Sequence, residues 1–128
     1  MEFKIDKSIK TDINRVLKTG IFPHIKPGQV IAFRSEGSKS RAIARIWSLP
    51  SIWQIALTIK PHYCIEVISH RFDKLSREQK TKVLIHELLH IPHTFSGALR
   101  PHRGRGIKVD AWTVNKYYKM YINKISQF

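Results

Sequence analysis

His86-Glu87-Leu88-Leu89-His90 places two imidazoles four residues apart, with a carboxylate directly after the first. On an α-helix, side chains four apart share a face, so both rings can reach one cation. Glu87 then stands about 100° further round the helix, close enough to touch a water beside that cation without being a ligand. This is the H-E-x-x-H spacing of a zinc hydrolysis site. The chemistry it predicts is cleavage of an amide: the glutamate takes the proton of the attacking water and returns it to the leaving amine.

The flanking residues predict the helix that this geometry needs. Ser76-Arg77-Glu78-Gln79 fits a capping box, with Ser76 as N-cap, Gln79 at the third helical position and Glu78 adding negative charge in the first turn. From Val83 to Ile91 every residue except His86, Glu87 and His90 is Val, Leu or Ile, a pattern for a helix set in a core. Pro92 ends it, because the residue before a proline is pushed out of the α region. Buried polar side chains need partners, and a metal would satisfy all three.

A catalytic zinc takes three protein ligands and leaves a fourth position open. Two other histidines and one aspartate lie downstream. His102 follows His90 after a loop long enough to return, with Gly97, Pro101 and Gly104 to turn it. Asp110 stands at the start of a last helix, where it could instead be an N-cap or an acceptor that orients a ligand ring. His93, just beyond Pro92, could barely fold back to the same ion. His93, Arg100 and Tyr63 are candidates to steady the developing oxyanion or contact substrate. Glu66, on a strand upstream, is a candidate to position a ligand or substrate, or else an exposed strand residue paired with a lysine.

The chain has 128 residues, enough for a single domain spanning 1–128 with one core, and 42% of them are hydrophobic. Met1 is followed at once by charged residues rather than by the roughly 7–15-residue apolar run of a signal peptide, and no stretch approaches the ~20 apolar residues of a membrane span. Cys64 is the only cysteine, which excludes an intramolecular disulfide and a Cys-rich zinc site and predicts an intracellular, cytoplasmic protein. With 23 Lys+Arg against 9 Asp+Glu, the net charge of +14 predicts attraction to phosphate-rich or acidic partners. Arg34, Lys39, Arg41 and Arg45 form one basic stretch; Arg103, Arg105 and Lys108 belong to a second, and together they are the candidate nucleic-acid surface.

The elements that must carry these residues read as follows. Residues 5–18 space Ile5, Ile9, Ile13, Val16 and Leu17 as an amphipathic helix closed by Gly20. Val30–Phe33, Ala42–Trp47, Trp53–Ile59 and Tyr63–His70 are strand candidates; Gln54 and Ala56 leave a helix open for the third. Ser35–Ser40 is a polar turn. Asp110–Ile125 is the C-terminal helix. Trp47, Trp53 and Trp112 are expected in the core, and Cys64 as a small packed hydrophobe. The order predicts an α+β domain with a small, mainly antiparallel sheet packed on helices. Tyr63–His70, just before the motif helix, is expected to be an edge strand able to bind an extended peptide.

His86-Glu87-Leu88-Leu89-His90-Ile91-Pro92, then Phe95-Ser96-Gly97, then Leu99-Arg100-Pro101-His102, resembles the phage metallopeptidase family, small zincins found in phages and archaea. Arg34-Ser35, Ala44-Arg45-Ile46-Trp47 and Tyr63-Cys64-Ile65-Glu66-Val67 extend the likeness, which covers about residues 30–105. The resemblance implies a minimal zincin-like fold, one zinc ion held by His86, His90 and His102, and Glu87 as catalytic acid/base. A more distant similarity is to Spartan-type proteases, which cut proteins crosslinked to DNA. The expected function is a zinc-dependent metallopeptidase, with nucleic-acid-associated proteins as one substrate class. The competing readings are a zinc amidase acting on a non-protein amide, and a basic nucleic-acid-binding module whose zinc is structural or vestigial.

Overall fold

The computed structural model describes residues 1–127. A first strand, β1 (Glu2–Ile5), leads into α1 (Lys7–Leu17), then come β2 (Val30–Glu36), β3 (Ala44–Trp47), α2 (Ser51–Leu57), β4 (Tyr63–Ile68), α3 (Ser69–Phe72), α4 (Arg77–Leu89) and α5 (Ala111–Ile125). The four strands form one sheet in the order β1-β2-β4-β3. β1 runs antiparallel to β2 and β3 antiparallel to β4, while β2 and β4 are parallel, with β3 and α2 inside their crossover. The architecture is the α+β one expected, with two of the three strand pairings antiparallel.

Each long helix starts where a short polar side chain can satisfy free amides. Asp6 accepts from the Ile9 amide at 2.8 Å to begin α1. The Ser76–Gln79 capping box begins α4, with reciprocal bonds of 3.2 and 3.0 Å. Asp110 accepts from the Thr113 amide at 2.9 Å to begin α5. Gly20, at φ +81, takes the left-handed conformation that turns the chain away after α1.

Alternation along the strands sends Val30 and Ala32 of β2 and Tyr63, Ile65 and Val67 of β4 into the core. They meet Ile9, Ile13 and Val16 of α1 and Leu84, Ile85, Leu88 and Leu89 of α4, with Val114 and Tyr121 of α5 closing one side. α1 and α4 thus cover one sheet face, and α4 is held between sheet, α1 and α5. Among the described residues no helix is long and apolar enough to cross a membrane.

Four expectations are overturned. Residues 53–59 are not a strand: Ser51–Leu57 is helical, started after Pro50 and ended by Thr58 in the left-handed region at φ 53. Its larger apolar residues, Trp53, Ile55, Leu57 and Ile59, alternate as in a strand, but the helix buries none of its residues, so that period reports no packed face. β4 is not an edge, since β2 and β3 flank it; the edges of the sheet are β1 and β3. Trp47, Trp53 and Trp112 are exposed rather than core residues, at 48%, 54% and 72%. Finally, Ser35 and Glu36 continue β2, and pairing with β1, a strand too short to stand out in the sequence, extends them.

Candidate metal and catalytic site

α4 delivers the first two imidazoles. His86 lies in its last turn and His90 is its C-cap residue, one helical turn further on. Their ring centroids are 5.2 Å apart. The third comes from the loop between α4 and α5: His102 stands 5.3 Å from His86 and 4.7 Å from His90, centroid to centroid. The Nε2 atoms of His102 and His86 are 3.3 Å apart. One ligand atom from each of the three rings falls within 4.8 Å of the others, a cluster able to hold a metal ion.

The loop that returns His102 is fixed by named bonds. The Arg100 amide donates to the His90 carbonyl at 2.6 Å, and the His90 ring Nδ1–H donates to the Arg100 carbonyl, also at 2.6 Å. That bond sets the tautomer: Nδ1 keeps its hydrogen and Nε2 presents a lone pair to the cluster. Closer to α4, Gly97 at φ +95 lies where a Cβ would collide with the Gln54 amide nitrogen and the Leu49 carbonyl. The Val109 amide donates to the His102 carbonyl at 3.1 Å and closes the far side of the loop.

Electrostatics favour a bound cation. Burial pushes His86 down to about 4, helped by His90 and His102, so its ring is neutral near pH 7. His90 is lowered as well, first by burial and then by His102, against the Arg100 carbonyl bond. Three imidazole nitrogens gathered this closely form a donor set that suits a divalent metal ion. Glu87 is 6% exposed, and burial raises its carboxyl to about 7. A carboxyl poised there can accept and return a proton near neutrality.

The other expected site residues fall elsewhere. Asp110 is exposed and occupied as the N-cap of α5; it is not part of the histidine cluster. His93 is exposed, stacks on His24 at 4.6 Å between centroids, and takes a hydrogen bond from Arg100. Arg100 therefore points its guanidinium along the loop, towards His93 and the Leu89 carbonyl. Tyr63 has no exposed surface; its hydroxyl donates to the Ala98 carbonyl at 2.7 Å and accepts from the Gly97 amide at 2.9 Å. It acts on the site by pinning the loop, a role that sequence spacing could not reveal. Glu66 is also fully buried, on the sheet face opposite the core residues of β4, where it accepts from Arg45 at 2.7 Å and from Trp47 Nε1 at 2.9 Å. Burial pushes its carboxyl upward, but the bonds from Arg45 and Trp47 hold it below its ordinary value.

Two bases of the expected nucleic-acid surface are committed inside the protein. Arg45 is tied to Glu66. Arg34 bridges Asp6 at 2.9 Å and Asp73 at 2.7 Å. Lys39, Arg41, Arg103, Arg105 and Lys108 remain exposed.

What sequence reasoning missed is the cleft. A cavity of about 610 Å³ opens beside His86 and Glu87, walled by residues 41–44, by Lys82 and Val83 of α4, and by Ala111, Val114 and Asn115 of α5. Its lining comes from three separate segments, so no local signal marks it.

Comparison with known proteins agrees with this geometry. No curated protein and no solved structure matches the chain. Residues 1–121 of the 128, however, match the family described as "Putative phage metallopeptidase". With nearly the whole chain covered and three histidines gathered beside a buried glutamate, the protein belongs to that metallopeptidase family.

Proposed function

We propose that the protein is a zinc-dependent peptidase of minimal zincin-like fold, with His86, His90 and His102 as metal ligands and Glu87 as general acid/base. The observation that carries this reading is the convergence of three imidazoles next to a buried glutamate whose carboxyl is raised to about 7. When bound, the ion would acidify a water and polarise the substrate carbonyl. Glu87 accepts the proton from the attacking water at its carboxylate and delivers it to the amine nitrogen as the peptide bond breaks. The Arg100 carbonyl holds the His90 ring in one orientation throughout. The free edge of β3, whose Ala44 borders the cleft, is where an extended peptide would pair its backbone. The lone cysteine favours a cytoplasmic setting.

The test uses casein or a quenched peptide with zinc-loaded protein, with and without chelator. Glu87→Gln is expected to keep the metal and to lose about 10²–10⁴ in rate, the usual worth of a positioned general base. Chelator-insensitive cleavage, or full activity in Glu87→Gln, would refute the assignment.

A second reading, a surface for nucleic acid, is favoured by one observation: Arg103, Arg105 and Lys108 are exposed on the loop that carries His102. It would direct the peptidase to proteins associated with nucleic acid. Salt-dependent retention on DNA, lost when these three bases are replaced by alanine, tests it.

A further inference from the structure

The cavity beside Glu87 has a composition that selects substrate. Its walls are mostly aliphatic, with Ile43 and Ala44 on the strand side, Val83 from α4, and Ala111 and Val114 from α5; Asn115 is the one uncharged polar side chain among them. Its volume, about 610 Å³, lies within the roughly 300–1,000 Å³ range of sites that bury small ligands, so it can take a large side chain and part of the residue beside it. The charged groups at its margin, apart from Glu87 and His86, are both cations, Arg41 and Lys82. Arg41 is exposed, and Lys82 is drawn to Glu78 at 3.2 Å. A lysine or arginine side chain entering here would lose water against mostly aliphatic walls and face Arg41 and Lys82, and the one carboxyl it could meet, Glu87, is the group the reaction uses. A polar or very small side chain would leave those walls unfilled.

We infer that this cavity is the specificity pocket of the enzyme, and that it takes a bulky, uncharged apolar side chain, such as phenylalanine or leucine, on a residue next to the scissile bond. The inference rests on the peptidase reading for its consequence in catalysis, but the pocket's preference is a binding property that can be measured without turnover. Its position explains how selection and chemistry are joined: the same stretch of α4 carries Val83 in the wall and His86 and Glu87 at the reacting end.

The experiment uses one peptide frame in which each residue flanking the cleaved bond is varied in turn among Phe, Leu, Ala and Lys. Zinc-loaded protein is expected to cut the Phe and Leu peptides with kcat/KM at least tenfold above the Ala peptide, with Lys slowest. Glu87→Gln protein, measured by fluorescence anisotropy, is expected to bind the Phe peptide at least tenfold more tightly than the Ala peptide. Ala111→Phe fills the pocket from an exposed helical position that does not support the core, and is expected to erase both ratios. Equal binding of Phe and Ala peptides to Glu87→Gln, or ratios untouched by Ala111→Phe, overturns the inference whatever the cleavage assay gives. Selective binding with no cleavage of any peptide would sustain the pocket and refute the peptidase reading.

Discussion

Replacing Glu87 by glutamine is expected to stabilise the metal-free protein, and to do so far more at pH 8 than at pH 5. The carboxyl is 6% exposed, and burial raises it from 4.5 to about 7 in the folded chain. The native state therefore holds this proton more tightly than the unfolded state does. Its contribution is fully present below the unfolded value and is lost as pH rises towards about 7. At roughly 1.36 kcal/mol for each pH unit, the wild-type protein forfeits about 3 kcal/mol by pH 8 but less than about 1 kcal/mol at pH 5. Glutamine has nearly the same shape and cannot ionise, so its advantage over wild type grows by about 2 kcal/mol across that interval. His86 has the opposite slope: lowered to about 4, it costs stability as pH falls below 6.5, but it is common to both proteins and drops out of the difference. The assay is urea unfolding of both proteins in chelator at pH 5, 6, 7 and 8. A difference that stays constant over this range would mean that burial does not hold the Glu87 proton, and the argument for its acid/base role would fall with it. Adding zinc back is expected to narrow the gap, because a nearby cation favours the carboxylate.

Other perturbations probe the framework around the site. His102→Ala changes an exposed loop residue, so the fold is expected to survive while zinc affinity drops at least a hundredfold in calorimetric titration; unchanged affinity would remove His102 from the ligand set. Arg45→Ala leaves the fully buried Glu66 carboxylate without its guanidinium and is expected to cost about 2–3 kcal/mol in denaturant unfolding at pH 7, with Arg45→Met/Glu66→Gln recovering much of it. Because Glu66 is held below its ordinary value, that cost is present above about pH 4.5 and shrinks as pH falls through the carboxylate range. Gly97→Ala combines a left-handed φ with a collision against Gln54 and Leu49, and is expected to lower Tm and loosen the His102 loop, read as weakened metal binding.

The features legible in the amino-acid order are those whose partners lie within one helical turn. The Ser76–Gln79 box, Asp110 as N-cap, the span of α4 and the one-turn spacing of His86 and His90 all follow from backbone geometry that any helix imposes. The segment around Trp53 failed for the complementary reason: Trp53, Ile55, Leu57 and Ile59 alternate as in a strand, but Ser51–Leu57 buries no residue, so that two-residue period reports no packed face, and the segment after Pro50 is helical up to Thr58. The three tryptophans show that large apolar residues need not be inside; burial depends on which surfaces the chain brings together.

By itself, then, the sequence determined the chemistry-bearing helix and the class of fold, because a motif and its caps are local statements about one element. Only the tertiary structure decided that His102 completes the cluster, that Glu66, Arg45 and Arg34 are spent on internal ion pairs, that β3 rather than β4 offers a free edge, and that a mostly aliphatic cleft opens against Glu87. Each of these joins residues far apart in the chain, and such distances are set by the packing of the whole core rather than by the preferences of any one segment.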